Sequence, residues 1–371
     1  MTAKVPHWKE DLKKNLSSLD DLKKKLPLDP EGLGPVLDQS PMNITDYYLS
    51  LMDPSDPQDP IGKMALPSLE ELSPEGVFDT SGEGDNTKLA GVQHKYRQTA
   101  LVLSTNICFM YCRHCFRKRL VGTTQDEIID RLDQALDYIG SHPEIDNVLI
   151  TGGDALTLSN ENIARYLRAL SALDQLDFIR FGSRIPVVFP QRIYEDPELL
   201  DLLKTYNQKK RILLVTQFNH PREITQKAIK AIQALKDQRI DVFNQTVLLK
   251  GVNDHPDTLA QLMKSLSRQR MVPYYIFQCR PVKHVKNHFQ VPLTRGVDII
   301  NETKNRLNGP AKHFRYALSH PRGKIEILGK LEDQMVFKFQ QAKNPEDASQ
   351  IFLRKLGPQD SWFDQDLNPI K

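Results

Sequence analysis

Three of the chain's four cysteines fall within eight residues, as Cys108-Phe109-Met110-Tyr111-Cys112-Arg113-His114-Cys115. Thiolates at that density hold a metal, because soft sulfur ligands are otherwise a liability in a reducing compartment. Structural zinc asks for four ligands, as two Cys-x-x-Cys pairs or with a spaced pair of histidines, and no second cysteine pair follows. Three cysteines spaced x₃ then x₂ can instead hold three irons of a four-iron cluster and leave the fourth iron open to a ligand. Two other readings stay open: His114 completing a zinc site, and Cys279 closing a four-thiolate electron-transfer cluster.

Positioning such a site takes a large core, and 371 residues with 39% hydrophobic and 26% charged content can build one. A net charge of +3 against 50 basic and 47 acidic residues gives no general attraction to nucleic acid or an anionic membrane. The Lys-rich start, Met1 to Asn15, carries Glu10 and Asp11 and has no apolar run of the signal-peptide kind. No stretch approaches a membrane span of about 18 apolar residues. A cytoplasmic location is expected, in keeping with free thiols.

Trp8, Leu12, Leu16, Leu19, Leu22 and Leu26, at spacings of three and four, predict short amphipathic helices. Pro54, Pro57 and Pro60 predict an extended surface segment over 53–60. Ser68 with Glu71 predicts a capping box over Leu69 to Leu72, and 81–85 reads as a loop. From Thr99 onward, six short apolar runs (101–104, 148–151, 178–181, 212–216, 242–248, 274–277) alternate with six amphipathic patterns (128–139, 163–173, 199–206, 224–235, 259–266, 297–307). That order predicts an α/β fold: a parallel sheet with right-handed crossovers, two units short of a closed barrel. The expected organisation is an N-terminal helical arm with the Pro-rich segment over 1–90, an open partial (β/α)₆ barrel over 91–310, and an extension over 311–371 whose 325–328 and 335–339 look like paired strands.

The reactive residue types follow the strands. After the first come the cysteines; after the second, Thr151-Gly152-Gly153-Asp154; after the third, Gly182-Ser183-Arg184. The fourth is followed by Gln217-Phe218-Asn219-His220, the fifth contains Asn244-Gln245, and the sixth precedes Gln278-Cys279-Arg280. This is the strand end at which parallel barrels assemble their sites.

The cysteine triad resembles that of the radical S-adenosylmethionine (SAM) enzymes. A longer run of agreement is similar to lysine 2,3-aminomutase and its relatives: Trp8-Lys9, Tyr47 to Ser68, Cys112-Arg113-His114-Cys115, Ser183-Arg184 with Pro186-Val187-Val188, Phe218-Asn219-His220-Pro221, Asn244-Gln245 with Gly251-Val252-Asn253-Asp254, and Pro273-Tyr274-Tyr275. The resemblance implies a TIM-like radical SAM barrel in which Cys108, Cys112 and Cys115 hold a [4Fe-4S] cluster and the open iron binds SAM. An adenosyl radical then removes a β-hydrogen, and nitrogen moves between C2 and C3 of an amino acid. Gly152 and Gly153 would let backbone approach the methionine end of SAM, with Asp154 accepting from its ammonium. Ser183, Arg184, His220 and Gln245 stand where they could contact adenosine or ribose, or serve the structure alone. The family carries pyridoxal 5′-phosphate (PLP) on a lysine after a Gly-rich run; Pro321-Arg322-Gly323-Lys324 matches it in shortened form, making Lys324 the candidate against a solvated turn lysine. Arg117 matches the arginine for the substrate α-carboxylate, while Lys118 and Arg119 read as surface or backbone-supporting charges. Implied partners are a small-molecule amino acid, an external electron donor of flavodoxin or ferredoxin type, and further copies of the chain in a homo-oligomer exchanging the N-terminal arm.

Three departures bear on substrate and cofactor. Arg280 and Ser319 stand where the lysine enzyme has aspartates for the distal ammonium, which inverts the preferred charge of the side chain. An acidic or neutral side chain is expected, with glutamate the simplest, and the family includes a glutamate 2,3-aminomutase. The competing reading is an internal ion pair of Arg280 with Asp154 or another acid. Thr99 stands where the family places an arginine on the PLP phosphate; Arg97, one strand repeat earlier, could substitute, or Thr99 itself could donate. The expected activity is thus a 2,3-aminomutase for an amino acid other than lysine. A PLP-independent radical SAM enzyme and a non-catalytic iron-sulfur or zinc module are the alternatives.

Overall fold

The structure, a computed structural model, describes residues 7–26, 31–129 and 131–371. The main sheet opens with an antiparallel pair, β1 (Thr87–Leu89) and β2 (Val92–Tyr96), the latter also antiparallel to the next strand. Six parallel strands follow: β3 (Thr99–Thr105), β4 (Asn147–Gly152), β5 (Phe178–Gly182), β6 (Arg211–Thr216), β7 (Asp241–Leu248) and β8 (Val272–Gln278). The helices after them are Leu132–Gly140, Asn160–Ser171, Pro197–Asn207, Gln226–Asp237, Pro256–Arg268 and Leu293–Asn305. A seventh parallel strand, β9 (Arg315–His320), adds to β8, and β10 (Gly323–Leu331), β11 (Gln334–Ala342) and β12 (Ile351–Arg354) extend the sheet antiparallel. The twelve strands pair in chain order, so the partial (β/α)₆ barrel is open, as expected. Tyr316-Ala317-Leu318 was too short an apolar run to announce β9. Two short strands, β13 (Trp362–Phe363) and β14 (Pro369–Ile370), pair separately within what reads as a polar tail.

The two-residue period of a strand divides each one between core and cavity. On β4, Val148 and Ile150 are fully buried, while Asn147, Leu149 and Thr151 line an interior cavity. On β5 the buried pair is Ile179 and Phe181, and Phe178, Arg180 and Gly182 face the cavity. The inner face of the curved sheet is thus the wall of a cavity.

Three local expectations are corrected. Residues 53–60 are not extended but folded into turns, in which Asp53 and Asp56 accept from Ser55 and Gln58 N–H. Pro60 starts the helix Pro60–Ala65 because a helix's first position needs no N–H, and Asp59 caps it through Gly62 N–H at 2.7 Å. The expected loop at 81–85 contains a helical turn, Glu83–Asn86, entered through Gly82 at φ +68° and pinned by Asp79, which accepts from Ser81, Glu83 and Gly84 N–H. The helix expected from residue 128 begins at Leu132, because Ile129 N–H donates to Leu103 O of β3 at 2.9 Å and not within a helix.

The N-terminal arm forms the expected short helices, His7–Leu12 and Leu19–Lys25, the second closed by a Ser18–Asp21 capping box. A bridge from Leu16 to Ile44 folds the arm on itself, and both side chains are fully buried, each worth ~1.5–3 kcal/mol. The box at Ser68 and Glu71 caps a 3₁₀ turn at Leu69–Leu72.

Candidate active site

The loop after β3 brings Cys108, Cys112 and Cys115 to a cavity of about 780 Å³ lined from β2 to β11. Close packing against the end of β4 sets its path. A Cβ added to Gly152, at φ +131°, would lie 2.2 Å from Thr105 O, and one on Gly153 would lie 2.3 Å from Ile107 O. Gly153 and Asp154 N–H donate to those same two carbonyls. The immediate reason for both glycines is therefore the backbone of the cysteine loop itself.

The arm holds the same loop from the other side. Tyr111 N–H donates to Asn43 O and Arg113 N–H to Met64 O, both at 2.9 Å, and the amides of Asn15 and Asn43 each reach Phe109 O at 3.0 Å. Arg113 is 1% exposed and grips Glu71 with two nitrogens while reaching Pro41 O at 3.0 Å. Lys118 donates to the same carboxylate and to the carbonyls of Arg113 (3.0 Å) and His284 (3.2 Å). It is thus a buried, backbone-supporting charge and not a surface one, and burial pushes its pKa down to about 8. Burial raises the Glu71 carboxyl, but Lys118 and Arg113 outweigh that and hold it below the usual range. Arg119 pairs with Glu83 at 2.8 Å and with Glu127.

Burial, and after it neighbouring Asp154 and thiols, raises Cys108 far above its ordinary pKa; burial and then Cys112 raise Cys115 to about 11. His114 turns Nε2 to the amides of Gln217 (3.0 Å) and Asn219 (3.2 Å). Among the described residues no three His, Cys, Asp or Glu side chains close on a single ion, the three cysteines included. Cys279 is packed, with its sulfur 3.8 Å from Arg280 O.

Asp154 is 5% exposed; its oxygens accept from Leu156 N–H at 3.0 Å and Arg184 N–H at 2.6 Å, and burial lifts its pKa to about 6. Ser183 lines the cavity while its hydroxyl accepts from Ile185 N–H at 3.1 Å. Arg184 donates to Cys112 Sγ at 2.7 Å and to Gln217 O at 3.1 Å, and pairs with Glu223. Gln245 faces the cavity from β7. His220 does not; its Nδ1 caps the turn Pro221–Glu223 by accepting from Arg222 N–H at 3.2 Å.

Lys324, on β10, sits opposite Ser319 on β9, and both line the cavity. Its Nζ lies 4.4 Å above the Tyr275 ring, so it is no solvated turn lysine. Burial, and then Arg180, Arg315 and Arg280, bring its pKa down to about 8. The Arg280 guanidinium stacks 4.2 Å over Phe116 and donates to Ser81 Oγ at 2.9 Å. Among the described residues no carboxylate pairs with it: Asp154 is bonded elsewhere, and Glu83, whose field reaches Arg280, is held by Arg117 Nε at 3.0 Å and by Arg119. Arg117 is 5% exposed and lines the cavity.

Sequence reasoning missed three cavity residues. Glu83 hides in the stretch read as a loop. Lys95 (β2) donates to Ser81 O at 3.2 Å and to His320 O, and burial followed by Arg280 pulls it to about 7. Arg180 (β5) shares its face with Phe178, and strand alternation was the available signal. Arg97 is corrected: it stands in the hairpin turn between β2 and β3, exposed and outside the cavity, because the turn breaks the alternation that placed it beside Thr99.

The Radical SAM superfamily model matches residues 102–263, which hold the cysteine loop and the strands from β3 to β7. The chain is 38% identical over 308 residues to the L-lysine 2,3-aminomutase of Clostridium subterminale, covering 81% of this chain and 73% of that one. It is 39% identical over 310 residues to the L-lysine 2,3-aminomutase of Fusobacterium nucleatum subsp. nucleatum (82% and 72%). Against the glutamate 2,3-aminomutase of Clostridioides difficile it is 34% identical over 323 residues (85% and 75%). With a cysteine triad on the loop after the first parallel strand and relatives matched along most of their length, the chain belongs to the lysine 2,3-aminomutase family of radical SAM enzymes.

Proposed function

We propose that this aminomutase moves the amino group between C2 and C3 of an α-amino acid with an acidic or neutral side chain, glutamate-like in charge, using a [4Fe-4S] cluster, SAM and PLP. Arg280 carries the reading of the substrate. It is a guanidinium in the cavity wall with no carboxylate partner among the described residues, where a distal ammonium would be repelled and a carboxylate would gain charge-assisted hydrogen bonds. Identities of 38% and 34% to the lysine and glutamate enzymes do not separate the two substrates; the positive charge of Arg280 supports the acidic one.

The donor sets fit the cofactors. The thiols of Cys108 and Cys115, which resist ionisation alone, are the kind that give up protons to a shared cation, and with Cys112 beside them on the loop they would hold the cluster. Lys95, Arg117, Arg180, Arg184, Arg280 and Lys324 line the cavity against two carboxylates, Glu83 and Asp154, an excess that asks for anions such as a phosphate and substrate carboxylates. Lys324 would carry PLP. When bound, cluster and SAM supply a carbon-centred radical and PLP a π-system for the migrating nitrogen. The chain's own part is placement: Arg117 orients the α-carboxylate in exchange for Glu83, Arg280 holds the far end, and Phe243, Tyr275 and Phe277 keep water from the reacting carbons. An external flavodoxin- or ferredoxin-type reductant and a homo-oligomeric state belong to the same reading, supported by the family resemblance alone.

The test is an anaerobic assay of reduced holoprotein with SAM and a panel of lysine, glutamate and neutral amino acids, following 5′-deoxyadenosine and β-amino acid product. Turnover of glutamate or a neutral amino acid over lysine supports the proposal. Preference for lysine overturns the reading of the substrate, and product formation by protein without a visible PLP band overturns the place of PLP.

A further inference from the structure

The cavity holds a cation that none of these substrate or lysine roles uses. Arg180 faces the cavity from the middle of β5, and among the described residues no carboxylate pairs with it. One terminal nitrogen donates to Asn147 Oδ1, while Nε is buried without a partner. Burial pulls its pKa below the ordinary value. A guanidinium in that condition is short of one anion.

Its surroundings are built to hold it. Asn147 Nδ2 donates to Gln98 O at 3.0 Å, Thr99 Oγ1 at 3.1 Å and Asp146 Oδ1 at 2.7 Å, while its Oδ1 accepts from Arg180 and from the Thr99 hydroxyl at 3.3 Å. Thr99, Asn147 and Phe178 are neighbours in register where β3, β4 and β5 begin. The cysteine loop leaves β3 at its other end, about 20 Å up a strand of this length. The cavity therefore has thiols at one end and an unpaired guanidinium at the other, and Arg180 is the first of the charges acting on Lys324.

We infer that Arg180 is the phosphate anchor of this cavity: with Asn147 and Thr99 as positioning residues, it binds the phosphomonoester of a PLP-class cofactor, the task the family gives to an arginine at position 99. This rests on the proposed place of PLP. The other free-standing cations are engaged or misplaced. Lys95 is spent on two backbone carbonyls, Arg315 is half exposed and 3.7 Å from Glu326, and Arg97 lies outside.

The experiment titrates cluster-containing holoprotein, stripped of PLP, with PLP and with pyridoxal, which lacks only the phosphate, following the visible band and its reversal by inorganic phosphate. Wild type should prefer PLP. Arg180→Gln should weaken PLP binding by about 10-fold to 100-fold and leave pyridoxal binding as it was, erasing the preference. Arg180→Lys should retain part of it, and Arg180→Gln with Thr99→Arg should recover it. Iron per chain and the change of the cluster spectrum on adding SAM report that each variant is folded. If wild type binds PLP and Arg180→Gln keeps the full preference, the anchor is wrong while the place of PLP stands. If folded wild type binds neither PLP nor pyridoxal, both fall together.

Discussion

A guanidinium kept from water needs polar or charged company, and Arg117 and Arg280 find it in different ways. Arg117 has Glu83, which a substrate carboxylate would displace under the proposed function; Arg280 has an aromatic face and one hydroxyl. Arg280→Asp should therefore lower kcat/KM for an acidic substrate by about 30-fold to 5,000-fold, the equivalent of about 2–5 kcal/mol, and raise that for lysine, measured side by side in the anaerobic assay. Unchanged selectivity would sink the charge argument. Lys324 carries a pH prediction. Its pKa of about 8 lies below the ordinary 10.5, so the cavity favours the neutral amine, the form that can bond to a carbonyl carbon. At pH 7.5 about a quarter of it is neutral, against about one part in a thousand for an ordinary lysine. PLP loading, followed by its visible band, should rise with pH through about 8 and level off above it; a rise deferred to pH 10 or beyond would show an unperturbed amine, and Lys324→Ala should abolish the band.

At the scale of the elements, the site depends on how the loop after β3 meets the end of β4, where glycine carbons touch the loop's carbonyls. Gly153→Ala should force the cysteine loop outward, at a cost of about 1–3 kcal/mol, and reconstituted protein should hold well under four irons per chain. Full iron content in that variant would show the loop has slack that the contacts deny. This dependence was only half legible in the sequence. The βα order and the run of reactive residues at strand ends could be read directly, because a period of two against one of 3.6 leaves a pattern in the chain. So could Cys108, Cys112, Cys115, Gly152, Gly153, Asp154 and Lys324 as members of one site. What the glycines touch could not, since close approach is a fact of tertiary packing. Glu83 was hidden by its glycine-rich surroundings, Arg180 by the habit of reading a strand residue as core, and Arg97 was misplaced because a hairpin turn interrupts the period. Pro60 misled because proline is barred from a helix interior and not from its first position.

Across the molecule, one place where the N-terminal arm and the barrel are joined is the cysteine loop, and Glu71 is the joint there. It caps a turn of the arm and neutralises two cations of the loop, all three side chains nearly closed to solvent. Removing the carboxylate leaves Arg113 and Lys118 buried and unpaired, a loss of about 3–5 kcal/mol. For a cooperative unit of 371 residues that is a fall in Tm of about 4–6 °C in Glu71→Ala, read by calorimetry. The pH dependence has a definite sign. The Glu71 carboxyl is held below its ordinary 4.5 in the folded chain, so its contribution is complete above that value and is lost as pH falls through the depressed one. Wild type should release iron in an acid step below about pH 4.5, as protonation uncouples arm from loop. In Glu71→Ala the cluster should be labile at neutral pH already, with that acid step removed. A variant that lost thermal stability yet kept its iron as tightly as wild type would show that the arm braces the barrel without holding the cysteines.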